Sequence, residues 1–540
     1  MVFFSFFAVA SLFGIFASLY FDNTKLSPAL GGEYTEGIVG YPRFINPLYG
    51  PNNEVDKDLI LLVYSGLTKR NSRGAIVLDA AKSYKADDDE KIYTFTIKDN
   101  IYWHDGKKLT ADDVVFTIKS IQDKNYNSPL RASWSDITVQ KIDDYTAQFK
   151  LSKASGAFLS LLTTGILPKH IWEKVPVANI NLAESNNKPV GSGHYKFKSF
   201  VKDKLGVIKS YQLEANKSYY DAKPYIEKLN LKFFPDYTSA VNALDSRQID
   251  GLAFVPSEAR SALKLKSRLD SYGAALPQYN AIFFNGNQNT ILKDKSVRKA
   301  LTLGIDRKKI VKEALEGDGE VIDGPILPGF LSDDGKSALN LYDKEAAQKL
   351  LTDAGWLLKD GEKYRAKKKD KLKIVLMTIE KSQNVKVAGI IKSNWEEIGA
   401  EAELKIVSAA TIAKDYIYNR KFEALLFGEM YSPDLDPHSY WHSSAAKYPG
   451  LNLAQYSNSK ADALLDAARK SSDKEVRQKK YQEFQAILAE DFAAIFLWQP
   501  KYTYYVDKKV QGMQISNIVT PSDRFYNLFG AYINTRRILK

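Results

Sequence analysis

A mixed fold, α/β or α+β, built as separate lobes is what this sequence predicts, and three observations carry the prediction. The chain has 540 residues, beyond the ~250–300 at which one hydrophobic core stops growing, so it divides into at least two packed units. Strand-like and helix-like apolar patterns alternate along most of its length, which implies sheets flanked by helices. Its composition, 44% hydrophobic, 26% charged and 12% aromatic, supplies ample core and a wet exterior.

Taken in order, Val2 to Tyr20 carries no charged side chain. About 20 such residues at ~1.5 Å each span a bilayer's ~30 Å hydrocarbon layer. Residues 1–21 are therefore expected to be a membrane anchor or signal segment. The run is longer than the ~7–15 residues of a signal core, and Ala17-Ser18-Leu19-Tyr20-Phe21 is a poor cleavage site, which favours a retained anchor. Its missing basic flank leaves orientation weakly specified. Residues 22–30 read as a polar linker.

Tyr93, Phe95 and Ile97 alternate with Thr94, Thr96 and Lys98, the period of a half-buried strand, and Asp99-Asn100 supplies the turn after it. Thr110-Ala111-Asp112-Asp113 reads as a capping box, followed by Val114, Ile118 and Ile121 on one helical face. Further helices are expected at Ser296–Ile310, Lys344–Ala354, Ser459–Lys470 and Lys474–Glu490, and strands at Lys228–Phe234, Ala281–Asn285, Leu372–Met377 and Phe422–Phe427. The basic run Lys363 to Lys373 contains Asp370 and reads as a solvated hairpin.

Several function classes drop out. There is no cysteine, hence no disulfide framework, thiolate nucleophile or Cys-ligated metal. No Gly-x-x-x-x-Gly-Lys-Ser/Thr loop occurs. The net charge of +12 is spread among interleaved acids, so no nucleic-acid surface is expected.

The stretch Asp99-Asn100-Ile101-Tyr102-Trp103-His104-Asp105-Gly106 through Leu109-Thr110-Ala111-Asp112-Asp113-Val114 resembles the signature of the family 5 extracytoplasmic solute-binding proteins, the oligopeptide/dipeptide-binding family. Tyr64-Ser65-Gly66-Leu67-Thr68, Pro189-Val190-Gly191-Ser192-Gly193-His194-Tyr195 and Val297-Arg298-Lys299-Ala300-Leu301 follow in that family's order. The resemblance implies a bilobal periplasmic-binding-protein-like fold with two inter-lobe crossings, near Pro277–Tyr279 and Trp498–Lys501. It implies a first lobe over 31–277 with an extra subdomain at about 76–186, a second lobe over 278–499, and a return to the first over 500–540. Implied too is an extracytoplasmic monomer that captures peptides in the inter-lobe cleft and delivers them to the permease subunits of an ABC importer; the N-terminal run would tether it to the membrane. The family reading carries no catalytic residue, no cofactor and no metal. Within the same fold, a nickel complex, an opine or an oligosaccharide is the alternative solute.

The segment Tyr431-Ser432-Pro433-Asp434-Leu435-Asp436-Pro437-His438-Ser439-Tyr440-Trp441-His442 is the richest candidate site. In peptide-binding members this loop lines the cleft, and an aspartate in it pairs with the ligand's α-ammonium. Anchored on Asp436-Pro437, that place is held here by Pro433, with Asp434 displaced by one. Asp434 and Asp436 are thus the candidates for the ammonium, with Tyr431, His438 and Trp441 beside them. His438 and His442 stand four apart, which invites a metal-dependent hydrolase reading. No Glu lies between them, however, and Pro437 interrupts the segment. Trp498 and Asn285, near the expected crossings, and Tyr41 and Phe44, ahead of Asn46-Pro47-Leu48, complete the ligand-binding set. Gly191-Ser192-Gly193-His194, His104 and His170 read as turns and helix starts without chemistry.

Overall fold

The computed structural model describes residues 22–71, 74–331, 342–433, 435–471, 473–515 and 517–540. The apolar segment Val2–Tyr20 and Asp434 lie outside them. Among the described residues no helix is long and apolar enough to cross a membrane.

The chain opens with β1 (Thr24–Ala29) and β2 (Glu33–Val39), followed by α1 (Glu54–Val63). Asn53 caps α1 by accepting the Val55 N–H at 2.8 Å, and Glu54 and Asp56 sit at the positive end of its dipole. Next come β3 (Ala81–Ala86), β4 (Ile92–Ile97), α2 (Ala111–Gln122), β5 (Ile137–Asp143) and β6 (Thr146–Leu151). The four strands make an antiparallel sheet in the order β3–β4–β6–β5. Tyr93, Phe95 and Ile97 of β4 are buried, and the residues between them are half-exposed. The capping box is present, with the Thr110 N–H donating to Asp113 Oδ2 at 2.9 Å. In the turn before it Gly106 has φ +89°, a conformation a Cβ disfavours.

The large sheet is built from β2, then β7 (Tyr195–Lys202), β8 (Ile208–Ala215) and β9 (Lys228–Phe234), with α3 (Tyr237–Asp245) leading to β10 (Gly251–Leu252), β11 (Leu269–Ala275) and β12 (Gln278–Phe284). It continues through α4 (Lys295–Leu303), α5 (Lys344–Asp353), β13 (Lys373–Ile379), α6 (Ser382–Glu397), β14 (Glu401–Val407) and β15 (Ala424–Met430). Last come α7 (His438–Trp441), α8 (Ser459–Lys470), α9 (Lys474–Asp491), β16 (Ala494–Asp507), α10 (Arg524–Leu528) and β17 (Asn534–Leu539).

Strand order runs β14–β13–β15–β12–β16–β10–β2–β9–β8–β7, with β11 also paired to β16. The long strand β16 is the link: Ala494 to Trp498 pair with β12, and Lys501 to Asp507 pair with β11. One hydrophobic core gathers Tyr34, Leu59, Phe95, Leu231, Tyr504 and Phe525; two others draw only on residues 279 to 498. Along β12, Ile282 and Phe284 enter one of these cores while Ala281 and Phe283 enter the other, because a strand covered on both faces alternates between them. The fold is thus mixed α/β and bilobal.

A buried charge network ties the ends of the first core together. The Arg524 guanidinium donates to both oxygens of Asp58, at 2.9 and 2.6 Å, and lies 3.3 Å from Glu36. Tyr34 and Tyr504 donate to the other Glu36 oxygen at 2.6 and 2.7 Å.

Two local expectations differ. The helix expected over Ser296–Ile310 is broken after Leu303: Asp306 caps a new turn by accepting the Lys309 N–H at 2.9 Å, so its side chain competes with helix continuation. Residues 24–29, read as linker, pair antiparallel with β17. Backbone hydrogen bonds make that pairing, and the sequence needs no apolar alternation for it.

Candidate ligand-binding cleft

Between the two halves lies a cleft with three adjoining cavities of about 390, 330 and 310 Å³. All three take walls from both sides, and the smallest is shared by Arg70, Tyr93 and Ser155 on one side and by Leu435, Arg477 and Tyr481 on the other. A larger cavity of about 720 Å³, beside Trp103, is lined only by residues of the first half.

Among the described residues, several contacts join the two sides. Arg70 donates to the Pro433 carbonyl. The Gly156 N–H donates to the Arg469 carbonyl at 3.2 Å, and Arg477 Nη1 donates to the Gly156 carbonyl at 3.3 Å. Near the strands that cross, Arg260 also forks onto Asp318. These contacts span the cleft.

The 390 Å³ cavity has a cationic wall. Lys57, Lys69 and Arg70 border it, facing Asp79 and Asp523. Both carboxylates are engaged: Asp79 with Lys69 at 3.1 Å and the Tyr220 hydroxyl at 2.7 Å, Asp523 with Arg70 at 4.0 Å and the Thr520 N–H at 2.9 Å. Burial pushes the Asp523 carboxyl up, and Arg70 pulls it back only in part. The Ser522 hydroxyl in the same wall is buried and has no protein partner, so it can donate to or accept from a ligand. At Gly165 an added Cβ would stand 2.8 Å from Tyr64 Cβ, so the floor requires a glycine there.

The 431–442 segment is positioned by β15 and by packing behind it. The Tyr431 N–H donates to the Pro277 carbonyl at 2.8 Å, its hydroxyl to the Pro325 carbonyl at 3.0 Å, and its ring meets Tyr440 edge-on at 4.9 Å. Trp441 is fully buried and donates its indole N–H to the Tyr279 hydroxyl at 3.1 Å; that hydroxyl donates in turn to Glu429. Asp436 accepts the His438 N–H at 3.0 Å and the Arg469 Nε–H at 2.6 Å, and it forms part of the 330 Å³ cavity wall. His438 and His442 stack with ring centres 4.1 Å apart.

The remaining candidates scatter. Trp498 packs in one second-half core, and Asn285 donates to the Arg420 carbonyl at 2.8 Å while capping its own turn. Tyr41 accepts from Lys209 at 3.2 Å, and the Phe44 N–H donates to Asp56 at 2.9 Å. Beside Asp436, the cavity walls include Lys57, Arg70, Arg477, Tyr481 and Ser522, which sequence reasoning did not single out as ligand contacts. The one pointer was Tyr64-Ser65-Gly66-Leu67-Thr68, which ends two residues before Arg70.

Comparison with known proteins gives consistent matches. The family described as bacterial extracellular solute-binding proteins, family 5 middle, matches residues 75–452. The oligopeptide-binding protein AppA of Bacillus subtilis is 32% identical over 510 residues, 93% of this chain and 91% of that protein. The structure of B. subtilis AppA in complex with a nonapeptide superposes with a TM-score of 0.67 at 31% identity, covering 94% of this chain and 100% of that one. NikZ of Campylobacter jejuni, solved with Ni(L-His), gives a TM-score of 0.70 at 27% identity, covering 93% and 99%.

Proposed function

The chain belongs to the bacterial extracellular solute-binding proteins of family 5, and from that premise we propose that it captures short peptides between its lobes and presents them to the permease of an ABC importer. In this reading residues 31–277 and 500–540 move as one lobe against 278–499, hinged where the chain crosses at β12 and β16. The carrying observation is the cleft, whose cavities have walls from both sides and whose closure contacts use backbone carbonyls at Pro433, Gly156 and Arg469. Such a site grips a peptide main chain while water fills the side-chain pockets, which tolerates varied sequences.

Lys57, Lys69 and Arg70 suit a ligand carboxylate. Asp436 has both oxygens engaged within its own side of the cleft, so we assign the α-ammonium to Asp434, the residue after Pro433. Capture proceeds without turnover. The protein works outside the cytoplasm, and we assign its membrane attachment to Val2–Tyr20. The test is calorimetry with a panel of short peptides, free and N-acetylated, against the wild type and Asp434→Asn. Free peptides should bind the wild type more tightly than acetylated ones, and the substitution should erase that difference. Equal losses for both forms would remove Asp434 from the ammonium. No binding by any peptide, with binding of a metal complex such as Ni(L-His), would move the solute class to the kind NikZ was solved with.

A further inference from the structure

We propose that His438, His442 and Asp466, backed by Asp462, form a binding site for one borderline divalent cation, Zn²⁺ or Ni²⁺, outside the peptide cleft. None of the four lines the three cleft cavities. The site arises because two short helical faces meet. His438 opens α7 and His442 caps its end, so they stand four residues apart on one side; Asp462 and Asp466 stand four apart on α8, which packs against it.

Asp466 Oδ1 lies 3.1 Å from His438 Nε2 and 3.8 Å from His442 Nε2, and Asp462 Oδ1 lies 3.9 Å from His442 Nε2. One atom from each of His438, His442 and Asp466 falls within 4.8 Å of the others. Donors ~2.0–2.2 Å from a tetrahedral ion stand about 3.3 Å apart, so the carboxylate–imidazole pairs lie within about 0.6 Å of that spacing, and the ligand atoms of the two stacked rings, no more than 4.8 Å apart, close by at most about 1.5 Å as the rings tilt.

Plain His–Asp hydrogen bonding leaves one feature unaccounted for. The His442 Nε2 is buried without a hydrogen-bond partner, although it faces two carboxylates. Its Nδ1 accepts the Ser444 N–H at 3.1 Å and lies 2.7 Å from Ser444 Oγ, so the neutral ring carries its proton on Nε2, facing carboxylate oxygens 3.8 and 3.9 Å away, beyond hydrogen-bond reach. An ion takes that place once the proton shifts to Nδ1, where the Ser444 hydroxyl accepts it. Asp462 is held in place by the Ser443 N–H at 2.9 Å and the Ser443 hydroxyl at 2.5 Å. Imidazole with carboxylate selects Zn²⁺, Ni²⁺ or Cu²⁺ over Ca²⁺ and Mg²⁺.

The location gives the ion a structural consequence. Asp466 lies one turn before Arg469, whose carbonyl takes the Gly156 N–H from the other side of the cleft and whose side chain holds Asp436. An ion here fastens α7 to α8 beside a closure contact.

The test titrates chelator-stripped full-length protein with ZnCl₂ and NiCl₂ by calorimetry, with and without saturating peptide, and repeats it for His442→Gln and Asp466→Asn. The wild type should bind one ion per chain in either state. Each variant should bind it at least about tenfold more weakly, the low end of what losing even a ligand's partner costs. Unfolding midpoints without metal should match across the three proteins, and added Zn²⁺ should raise only that of the wild type. If a variant unfolds early, visible absorption of Co²⁺ in the wild type and its loss in the other variant decide the question. Absence of a stoichiometric ion in the wild type, or equal affinity in both variants, overturns the site. An ion displaced by peptide but untouched by both substitutions lies in the cleft, and that also overturns it.

Discussion

Glu429 is the penultimate residue of β15, two before Tyr431, and the Glu429→Gln variant tests how the candidate loop is anchored. Its carboxyl is buried and takes the Tyr279 hydroxyl, which in turn receives the Trp441 indole N–H. Burial pushes the carboxyl up from an ordinary 4.5 to about 8; the Tyr279 hydrogen bond and Arg420 oppose the shift without cancelling it. The folded chain therefore holds a proton that the unfolded chain has lost between those two values. Stability contributed by this group is present in full below about 4.5, declines by about 1.4 kcal/mol per pH step above it, and is gone above about 8, a total of roughly 5 kcal/mol. Glutamine cannot titrate. At pH 5 the variant should be less stable by about 1–3 kcal/mol, the cost of an imperfectly matched buried polar group. By pH 8 it should equal or exceed the wild type. Urea unfolding of both proteins across that range isolates the effect, because all other titrations cancel in the difference. Parallel stability profiles, with a gap constant to within about 1 kcal/mol, would refute the buried protonated carboxyl.

Three further outcomes follow from the same contacts. Arg524→Met leaves Glu36 and Asp58 buried without their cation and should cost about 3–5 kcal/mol in denaturant unfolding; because burial already raises the Glu36 carboxyl, the deficit should shrink as the pH falls. Arg70→Ala removes a charge-assisted contact to Pro433 and should weaken peptide binding by about 1.5–3 kcal/mol, roughly 10–150-fold by calorimetry, with an unchanged affinity excluding this bridge from closure. Full-length protein in its native host should sediment with membranes and resist extraction by high salt, whereas recovery of a shortened soluble form would establish a cleaved signal.

What the sequence disclosed was local or came through the family signature. Tyr93, Phe95 and Ile97 bury alternately as their spacing predicts, and the Thr110–Asp113 box forms because every atom in it lies within one turn. α6 went unrecognised although Val387, Ile391 and Trp395 recur at four-residue spacing and are all buried; Ser, Asn and Gly389 between them blur the pattern. Asp436 was legible as a carboxylate in the right loop, but not its capture by Arg469 from 33 residues away. The bridge from Arg70 to Pro433 joins residues 363 apart, and no periodicity or motif in either segment points to the other. Asp466, likewise, carries no mark in sequence until α8 packs against the histidines.

The claim that the lobes close on a peptide is tested most directly by small-angle scattering and thermal unfolding on one sample, without ligand and then with each member of a short-peptide panel. At a hundredfold excess over Kd a ligand confined to the folded form adds about 2.7 kcal/mol, which should raise Tm visibly while the radius of gyration falls. A panel that changes neither quantity would contradict peptide capture.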